Sequence, residues 1–497
     1  MRPSRLCVFR VKIYRMRRAK ILATLGPATN TQEKIEQLIN AGLNAVRINM
    51  SHGTHDEHVE TIRLARAAAK NLDQPLAILV DLSGPKIRTG KLKGGTAVFL
   101  ETGAQFIITS REVEGTADEV STNYKELPKL VEVGARVLLD DGAIELIVES
   151  DTETDVVTRV ISGGLLSERK GINLPNTSLP IPSLTEKDRV DLDWAMTQNA
   201  DYIALSFVRR AEDCKEARDL IKKLHRRDAG RPLLVAKIEK AEAIENLDAI
   251  LKETDGVMVA RGDLGVETSA ELVPVYQKQI IEKAVLNDKF VITATQMLQS
   301  MIISPRPTRA EASDVANAVW DGTDAVMLSA ETAAGQYPVE SVATMKRIID
   351  SAETVETTKV KRPVKFTEKP TGRTSQALCK AAAICAREIT TDKVAVFTES
   401  GLMARRLSSV RSGLQTFALT NSDDVRNQLA LIWGVEPFCH ENTDTTESML
   451  KEGEKTLLDE AVVTTGETIV MMAGRLSGLG LSSSVIVWTI GEDTPQR

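Results

Sequence analysis

The 497-residue sequence has few aromatic side chains, few cysteines and no long apolar run. Aromatic residues make up 4% of the chain, which leaves little material for a surface that stacks nucleic-acid bases. The net charge of -6 argues against general binding to a phosphate backbone. The five cysteines form no C-x-x-C pair, so we expect neither a zinc ribbon nor a disulfide framework, and we expect a reduced, cytoplasmic location. Because no run of 18 apolar residues occurs, we expect no transmembrane helix.

The remaining composition is that of a globular protein. Apolar residues make up 42% of the chain and charged residues 27%. At about 150 residues per domain, the length indicates about three domains. Residues 1–15 are basic and have some features of a targeting segment, but they contain no apolar stretch of the length that secretion signals need. We interpret them as an extension of no functional weight before Met16.

Eight short apolar runs, most of them followed by a helical pattern, predict a (β/α)8 TIM barrel. The first helix is expected to begin at Asn30, with Glu33 three residues later in a capping-box spacing. The runs are residues 20–24, 45–49, 76–81, 202–206, 233–237, 257–260, 290–293 and 325–328.

The barrel pattern is interrupted by a β-rich stretch and is followed by another α/β pattern. We assign the barrel to residues 17–86 and 183–356, and a small inserted β-barrel domain to residues 87–182. A polar linker is expected at residues 357–374. A C-terminal α/β domain is assigned to residues 371–497, and its first helix, rich in alanine, is expected to begin near Ser375.

Polar side chains lie at the ends of seven of the eight predicted barrel strands. Active sites of TIM barrels lie at these carboxyl ends. A single polar residue there is more often a solvated loop residue, but seven strand ends together indicate a site. The residues are Arg47, Asn49, Ser51, Asp81, Ser206, Lys237, Glu239, Arg261, Gly262, Asp263, Thr293, Thr295, Ser329 and Glu331.

The side chains in this set suit phosphoryl transfer. The acids Glu239 and Asp263 suit Mg²⁺, which prefers few carboxylates together with water and phosphate oxygens. Arginines bind phosphate oxygens, and Lys237 could stabilise developing negative charge. No GxxxxGK[ST] loop is present, so the chain is not a P-loop enzyme. Such residues would catalyse phosphoryl transfer by positioning the reactants and by stabilising charge electrostatically.

Several long motifs in these regions resemble the pyruvate kinase family. They are INMSHG at 48–53, DLSGPKIRTG at 81–90, AKIEK at 236–240, MVARGDLGVE at 258–267, TATQMLQSM at 293–301 and PTRAEASDVANAVWDGTDAVMLSAETAAGQYP at 307–338. The resemblance runs from about residue 17 through the barrel and the insert, and weakens in the C-terminal domain.

The resemblance implies a homotetrameric, allosteric glycolytic enzyme that transfers the phosphoryl group of phosphoenolpyruvate to ADP, giving pyruvate and ATP. The insert would close as a lid that excludes water. Carried over by motif, the implied catalytic residues are Lys237, Thr295 and Arg47, and the further substrate contacts are Ser206, Asp263 and the backbone N–H of Gly262. The implied nucleotide contacts are Asn49, His52, Arg88 and Lys170. The implied ligands of Mg²⁺ or Mn²⁺ are Glu239 and Asp263.

The resemblance also implies a monovalent-cation site, with one departure. Its ligands would be Asn49, Ser51, Asp81 and the backbone of Leu82, all of which are retained. Lys86 stands where many members carry glutamate, and its ammonium could supply the charge that K⁺ otherwise brings. Two cations in one pocket would repel each other, so we predict weak or absent K⁺ dependence.

The segment TESGLMARR, residues 398–406, resembles the family's loop for phosphorylated effectors. Thr398, Ser400 and Gly401 suit such a site at a helix N-terminus. The loop lacks the extra donors of strong fructose 1,6-bisphosphate binders, so a sugar monophosphate or AMP is the expected effector. A loop without any effector stays open as the alternative.

Some sequence features could indicate other sites or other activities. His52, His55 and His58 could indicate zinc, although their spacing favours a solvated helix start. The glycines of residues 474–480 lack the strand–turn–helix context of a dinucleotide site, and we interpret them as a flexible loop. A phosphoenolpyruvate-dependent aldolase or lyase would need no nucleotide lid, and a non-catalytic relative would be expected to lose Lys237, Glu239 or Asp263.

Overall fold

A computed structural model describes residues 16–175, 177, 180–225, 230–355, 370–441, 443, 445–473 and 484–492. The described chain divides into two compact units. One unit contains residues 19–355 and 430–433, and the other contains residues 16–18, 370–429 and 434–492.

The first unit begins with three parallel strands and two helices. Thr31 caps the first helix, because its side chain accepts a hydrogen bond from the Lys34 N–H, and the left-handed Gly42 ends it. Thr54 and Glu57 form a capping box at the start of the second helix. The elements are β1 Lys20–Thr24, α1 Gln32–Ala41, β2 Ala45–Asn49, α2 His55–Asn71 and β3 Ala77–Asp81, with a 3₁₀ turn at Pro27–Thr29.

The chain then enters a β-rich insert with its own apolar core. Six of its strands form a mainly antiparallel sheet in the order β11-β7-β8-β9-β5-β6, and β10 pairs with β4. Alternating burial along β8 and β9 turns one sheet face toward this core. The elements are β4 Val98–Leu100, β5 Gln105–Thr109, β6 Glu119–Ser121, α3 Leu127–Leu130, β7 Arg136–Leu139, β8 Ile144–Asp151, β9 Asp155–Ser162, β10 Gly164–Leu166 and β11 Ile172–Asn173, with a 3₁₀ turn at Lys93–Gly95.

Five further strands with their helices complete the first unit. The strands are β12 Tyr202–Leu205, β13 Leu233–Ile238, β14 Gly256–Ala260, β15 Phe290–Ala294 and β16 Ala325–Leu328. The helices are α4 Glu186–Thr197, α5 Ala211–Leu224, α6 Ala241–Glu245, α7 Leu247–Glu253, α8 Arg261–Glu267, α9 Val273–Leu286, α10 Arg309–Asp321, α11 Ala330–Ala333 and α12 Pro338–Ala352, with 3₁₀ turns at Ala270–Leu272 and Gln299–Ile302.

Eight of these strands close into a parallel barrel in the order β1-β16-β15-β14-β13-β12-β3-β2. Its strands are buried along almost their whole length, because side chains fill the interior and helices cover the outside. Parallel pairing brings the carboxyl ends of all eight strands to one rim. That rim collects the polar residues that follow the strands.

The second unit is a five-stranded sheet flanked by helices. Four parallel strands and the antiparallel β21 follow the order β19-β18-β17-β20-β21. The elements are α13 Pro370–Glu388, β17 Lys393–Phe397, α14 Leu402–Ser409, β18 Gln415–Thr420, α15 Asp423–Leu429, β19 Val435–Cys439, α16 Thr446–Asp459, β20 Thr468–Ala473 and β21 Ser484–Thr489. Among the described residues, no helix combines the length and apolar character that a bilayer span requires.

The predicted fold class is confirmed: a TIM barrel, a strand-rich insert and a C-terminal α/β domain. The insert forms a half-barrel, because its six-stranded sheet is open. Two local predictions were wrong. Thr31, and not Asn30, caps α1, and α13 begins at Pro370, inside the predicted linker. Residues 1–15, most of that linker and the glycine-rich residues 474–480 lie outside the described residues.

Candidate active site at the carboxyl rim of the barrel

The ammonium of Lys237, in β13, lies at the centre of the rim. Its Nζ is 2.8 Å from Oε1 of Glu239 and 3.3 Å from Oδ1 of Asp81, and it donates to Oγ of Ser206 at 2.7 Å. Parallel neighbours β3, β12 and β13 bring these groups together. Four residues from three strand ends therefore form one cluster.

Arg47 joins the cluster from β2. Its Nε donates to Oδ2 of Asp81 at 2.7 Å, and its Nη1 donates to Oγ1 of Thr24 at 3.2 Å. The carboxylate of Asp81 is 1% exposed and lies between the two cations. The arginine is thereby held at the rim, at a fixed distance from the lysine.

Burial and charge together set the protonation of this cluster. Burial alone would raise the pKa of Asp81, but Lys237 and Arg47 outweigh it and hold that pKa below its ordinary value. Burial would lower the pKa of Lys237, but Asp81 and Glu239 raise it above the ordinary value. The pKa of Glu239 is raised by burial, with Asp263 adding to the effect and Lys237 opposing it. The lysine therefore stays charged at neutral pH.

Two carboxylates face the space beside this cluster. Glu239 follows β13, where its Oε2 accepts from the Phe207 N–H at 2.8 Å, and Asp263 lies in the first turn of α8 after β14. Burial is the main cause of the raised pKa of Glu239, and repulsion from Asp263 adds to it; a divalent cation would relieve that repulsion. In the described part of the chain, no group of three or more histidine, cysteine or acidic side chains is arranged to hold a metal. Glu239 and Asp263 offer two carboxylates, a donor set that fits Mg²⁺ with further ligands from water and substrate.

Thr295, just after β15, has a conformation that β-branched residues rarely adopt. Its φ is 69°, and Gln296 follows with φ 55°. The Gly262 N–H donates to Oγ1 of Thr295 at 2.8 Å, and that hydroxyl donates to the Ala294 carbonyl at 2.6 Å. The two residues predicted to contact substrate are therefore in direct contact with each other.

Arg261 lies beneath this strained turn and not among the groups around Lys237. Its Nη2 donates to the Thr295 carbonyl at 2.8 Å, and its Nη1 lies 2.7 Å from Oδ1 of Asp314. The side chain is 9% exposed. The sequence offered Arg261 as a phosphate contact, but its hydrogen bonds support the backbone of Thr295.

Three other strand-end residues also make structural contacts. Glu331 is buried and accepts from the Ser329 and Leu298 N–H groups, at 2.7 and 3.1 Å. The hydroxyl of Thr293 lies 3.0 Å from that of Thr323 inside the barrel. The sequence alone could not separate these residues from the cluster, because both kinds follow apolar strands.

Several of the predicted nucleotide and monovalent-cation residues lie at the ends of β2 and β3 and in the loop after β2. The Ser51 N–H donates to Oδ1 of Asn49 at 3.2 Å, and Oγ of Ser206 donates to the Leu82 carbonyl at 2.7 Å. The pKa of His52 is lowered by partial desolvation and by the charges of Arg88, Arg47 and Lys86. The ring therefore lies in a positive environment.

Lys170 of the insert and Lys86 at its boundary with the barrel pair with acids that follow β7. Nζ of Lys170 lies 2.9 Å from Oδ1 of Asp140, and Nζ of Lys86 lies 4.0 Å from Oδ1 of Asp141. Arg88 donates through Nη1 to the Arg169 carbonyl at 3.1 Å. A cleft of about 540 Å³ separates this part of the insert from α8, and its walls include Arg136, Asp141, Gly142, Gly262, Val266 and Gln296.

A contact between insert and barrel was missed at the sequence level. Nδ2 of Asn173, in β11, donates to Oε1 of Glu267 at 2.8 Å, and Nζ of Lys240 lies 2.7 Å from the same oxygen. Asn173 and Glu267 are 6% and 3% exposed. Lys240 and Glu267 belong to the motifs AKIEK and MVARGDLGVE, but these motifs do not indicate a contact with the insert.

Two of the three clustered histidines pack against α4. Nε2 of His55 lies 2.8 Å from Oδ1 of Asp191, and its ring stacks on Trp194 with a centroid distance of 4.8 Å. The ring of His58 lies 6.0 Å from that of Trp194, and its Nε2 lies 2.9 Å from the His52 carbonyl. These contacts differ from the solvated helix start that the spacing favours.

In the second unit, the predicted effector residues surround the start of α14. Gly401 is its N-cap, with φ 69°, and Thr398 at the end of β17 is 6% exposed. The Ser400 carbonyl lies 3.4 Å from Nη1 of Arg405. The loop therefore has the strand–turn–helix form that the sequence predicted.

Comparisons with known proteins show which family the chain resembles over nearly its whole length. The family model described as pyruvate kinase, barrel domain, matches residues 16–342, and the model described as pyruvate kinase, alpha/beta domain, matches residues 376–487. A pyruvate kinase of Bacillus licheniformis is 42% identical over 480 residues, which cover 96% of this chain and 81% of the relative. Pyruvate kinase 2 of a Synechocystis species is 44% identical over 476 residues, which cover 95% of this chain and 78% of the relative.

A solved structure extends the likeness to the fold. A crystal structure of a pyruvate kinase from Cryptosporidium parvum matches with a TM-score of 0.86 and 34% identity, covering 95% of this chain and 96% of that one. Both family models, the two relatives and the solved structure are thus all described as pyruvate kinases. The chain belongs to the pyruvate kinase family and is a phosphotransferase.

Proposed function

We propose that this chain transfers the phosphoryl group of phosphoenolpyruvate to ADP, giving pyruvate and ATP. The observation that carries the proposal is the ammonium of Lys237, held among Asp81, Glu239 and Ser206 at the rim. A buried cation at that point stabilises negative charge as it develops on a transferring phosphoryl group and on an enolate oxygen. A lyase on the same barrel would leave the basic residues of the insert without a role.

Glu239 and Asp263 would hold the divalent cation, Mg²⁺ or Mn²⁺. When bound, the ion neutralises phosphate charge and orients the oxygens of the reacting group. The support for this assignment is the raised pKa of Glu239, to which burial and the nearby Asp263 contribute.

The other rim residues orient the substrate and handle the proton. Arg47 is oriented by Asp81 and presents its guanidinium to a phosphate oxygen. Thr295 lies beside Gly262 on a turn that Arg261 supports, and we assign its hydroxyl to protonation of the enolate, directly or through water. Ser206 keeps the ammonium of Lys237 in place.

The nucleotide would lie between the loop after β2 and the insert. Asn49 and His52 would contact it from the side of this loop, and Arg88 and Lys170 from the insert. In support, the charge of Arg88 contributes to the lowered pKa of His52. The insert acts in this proposal as a lid, since closing it over the rim would exclude water from the phosphoryl group.

Three finer assignments belong to the same proposal. Lys86 replaces K⁺ beside Asn49, Ser51, Asp81 and the Leu82 backbone. Thr398, Ser400 and Gly401 bind a sugar monophosphate or AMP. The chain acts as a cytoplasmic homotetramer, with barrel and C-terminal surfaces in contact between copies.

The test is pyruvate formation from phosphoenolpyruvate, ADP and MgCl₂, with the Lys237→Met variant for comparison. Loss of the ammonium should lower kcat by about 100- to 1000-fold while phosphoenolpyruvate still binds. Lys278→Met, at an exposed lysine of α9, is the matched control. Because Lys237→Met removes the cation beside Glu239 and leaves Asp81 with Arg47 alone, Lys237→Arg and a circular dichroism spectrum check the fold. Activity retained in Lys237→Met, or no pyruvate from the wild-type protein, would overturn the proposal.

A further inference from the structure

Lys187, in the first turn of α4, bridges two loops of the candidate site. Its Nζ donates to the Met50 carbonyl at 2.8 Å and to Oγ of Ser83 at 3.3 Å. Met50 lies in the loop after β2, and Ser83 lies in the connection from β3 to the insert. One ammonium therefore joins the two segments.

The two loops are also joined beside the lysine. Oγ of Ser83 donates to the Met50 carbonyl at 2.9 Å. The neighbouring Asp188 accepts from the Gly84 N–H at 3.1 Å while it caps its own helix. The first turn of α4 thus fastens the start of the insert connection to the loop after β2.

The ammonium is itself held in place by a buried acid. Oδ2 of Asp191, one turn further along α4, lies 2.5 Å from Nζ of Lys187, and its Oδ1 lies 2.8 Å from Nε2 of His55. The Asp191 side chain is 3% exposed, and the His55 ring stacks on Trp194. The side chain of Lys187 is 59% exposed, but its ammonium is held between Asp191 and the Met50 carbonyl.

The contacts of Lys187 fall between residues that the proposed function assigns to nucleotide and monovalent cation. Met50 separates Asn49 from Ser51, and Ser83 follows Leu82. The contacts of Lys237, by contrast, are with Asp81, Ser206 and Glu239 at the phosphoenolpyruvate side. The two lysines therefore act on different parts of the rim.

We propose that Lys187 is a positioning residue for the nucleotide side of the site. Its ammonium fixes the loop after β2 against the insert connection, and so holds Asn49, Ser51 and His52 where ADP binds. This inference rests on the proposed function. It adds to that function a residue that need not touch either substrate.

The test compares Lys187→Met with Lys187→Arg and with the wild-type protein. Lys187→Met removes a charged hydrogen bond that is partly exposed to solvent. We therefore expect the KM for ADP to rise by about three- to tenfold and the KM for phosphoenolpyruvate to stay within about twofold of the wild-type value. Lys187→Arg should recover most of this loss, because a guanidinium can also donate to the Met50 carbonyl. The matched control is Arg189→Met, since that arginine of the same helix pairs with Glu186 and Glu216 at the surface.

A binding measurement keeps this inference separate from the proposed reaction. Calorimetric titration of each variant with ADP and MgCl₂ should show the same three- to tenfold weakening, about the size expected for such a bond, even if the wild-type protein formed no pyruvate. Equal changes in both KM values together with a lower melting temperature would overturn the inference in favour of a structural role. Unchanged ADP affinity in folded Lys187→Met would also overturn it.

Discussion

At the residue scale, the candidate site depends on buried charges that neutralise one another. Asp81 lies between Arg47 and Lys237, and each cation would be costly to bury alone. The carboxylate keeps both cations oriented while leaving the ammonium of Lys237 able to interact with a reacting group. This arrangement links the chemistry of the site to the stability of the barrel.

The lowered pKa of Asp81 predicts how that stability depends on pH. A carboxyl group with a lower pKa in the folded state stabilises the fold above its unfolded pKa of about 3.9, and this contribution is lost as the pH falls through the lower folded value. Asp81→Asn leaves two buried cations less well compensated and should cost about 3 kcal/mol at neutral pH. The melting temperature should therefore fall most above about pH 5, and the difference from wild type should shrink below about pH 4.

The control for this measurement is Asp193→Asn, which changes an exposed aspartate on α4. It should leave the melting temperature close to that of the wild type at every pH. A difference between Asp81→Asn and wild type that stayed constant from neutral to acid pH would contradict the electrostatic explanation.

Lys86 gives a second prediction at this scale. Its charge contributes to the lowered pKa of His52, so it acts on the surroundings of Asn49 and Ser51. We expect similar turnover in potassium and tetramethylammonium salts. In Lys86→Glu the fixed cation is replaced by an acid, and activity should fall by about tenfold without K⁺ and recover when K⁺ is added.

The control for Lys86 is Lys93→Glu, which makes the same charge change at an exposed lysine of the insert. It should not alter the response to K⁺. A large loss of wild-type activity when K⁺ is withdrawn would show that Lys86 does not replace the ion.

The sequence could predict which side chains lie near the site, but not where each side chain points. Arg47, Asp81 and Lys237 were expected at the rim, because they lie at the ends of apolar strands. Arg261 was expected there by the same rule, yet it turns toward Asp314 and the Thr295 carbonyl. Such a direction depends on α10, which is distant in sequence, and strand position alone does not contain it.

At the element scale, the short helix α8 connects the rim to the insert. Its first turn contains Gly262 and Asp263, and its last residue, Glu267, accepts from Asn173 of β11. We therefore expect movement of the insert to be transmitted to the substrate-facing end of this helix. Lys240 neutralises Glu267 at the same contact.

Asn173→Asp should break that contact without changing side-chain size. It places a carboxylate against the buried Glu267, and like charges at hydrogen-bond distance repel each other. We expect the KM values of both substrates to rise and kcat to fall by about tenfold, with faster hydrogen exchange in β11 and α8. Gln105→Glu adds the same charge at an exposed position of the insert and should leave the kinetics unchanged. Normal kinetics in Asn173→Asp would rule out this coupling.

Helix ends show why element boundaries were harder to predict than the elements themselves. Asn30 and Thr31 are both good caps, and Asn30 has the better capping-box spacing. The structure uses Thr31, because a 3₁₀ turn at Pro27–Thr29 precedes the helix and ends at Asn30. Tertiary contacts of that turn, such as the Thr29 hydroxyl with the Thr332 carbonyl, determined the outcome.

At the scale of the whole molecule, the net charge of -6 conceals a local concentration of positive charge. Arg47, Lys86, Arg88 and Lys237 are brought together from separate parts of the sequence, as the lowered pKa of His52 records for three of them. Overall composition excluded classes of protein but could not locate this charge. The barrel order and the insert between β3 and β12 create it.

From the loop before α14 in the second unit, we predict that the activity responds to a phosphorylated effector. Thr398, Ser400 and the left-handed Gly401 precede α14, whose first N–H groups can bind a phosphate. At low phosphoenolpyruvate concentration, ribose 5-phosphate or AMP should raise the rate more than fructose 1,6-bisphosphate does. Ser400→Glu introduces a negative charge at the proposed phosphate position and should abolish this response, whereas Ser412→Glu, at an exposed residue beyond the helix, should retain it. Size-exclusion chromatography during the titration should give the mass of a homotetramer. A wild-type protein that responds to none of the three compounds would show that this loop binds no such effector.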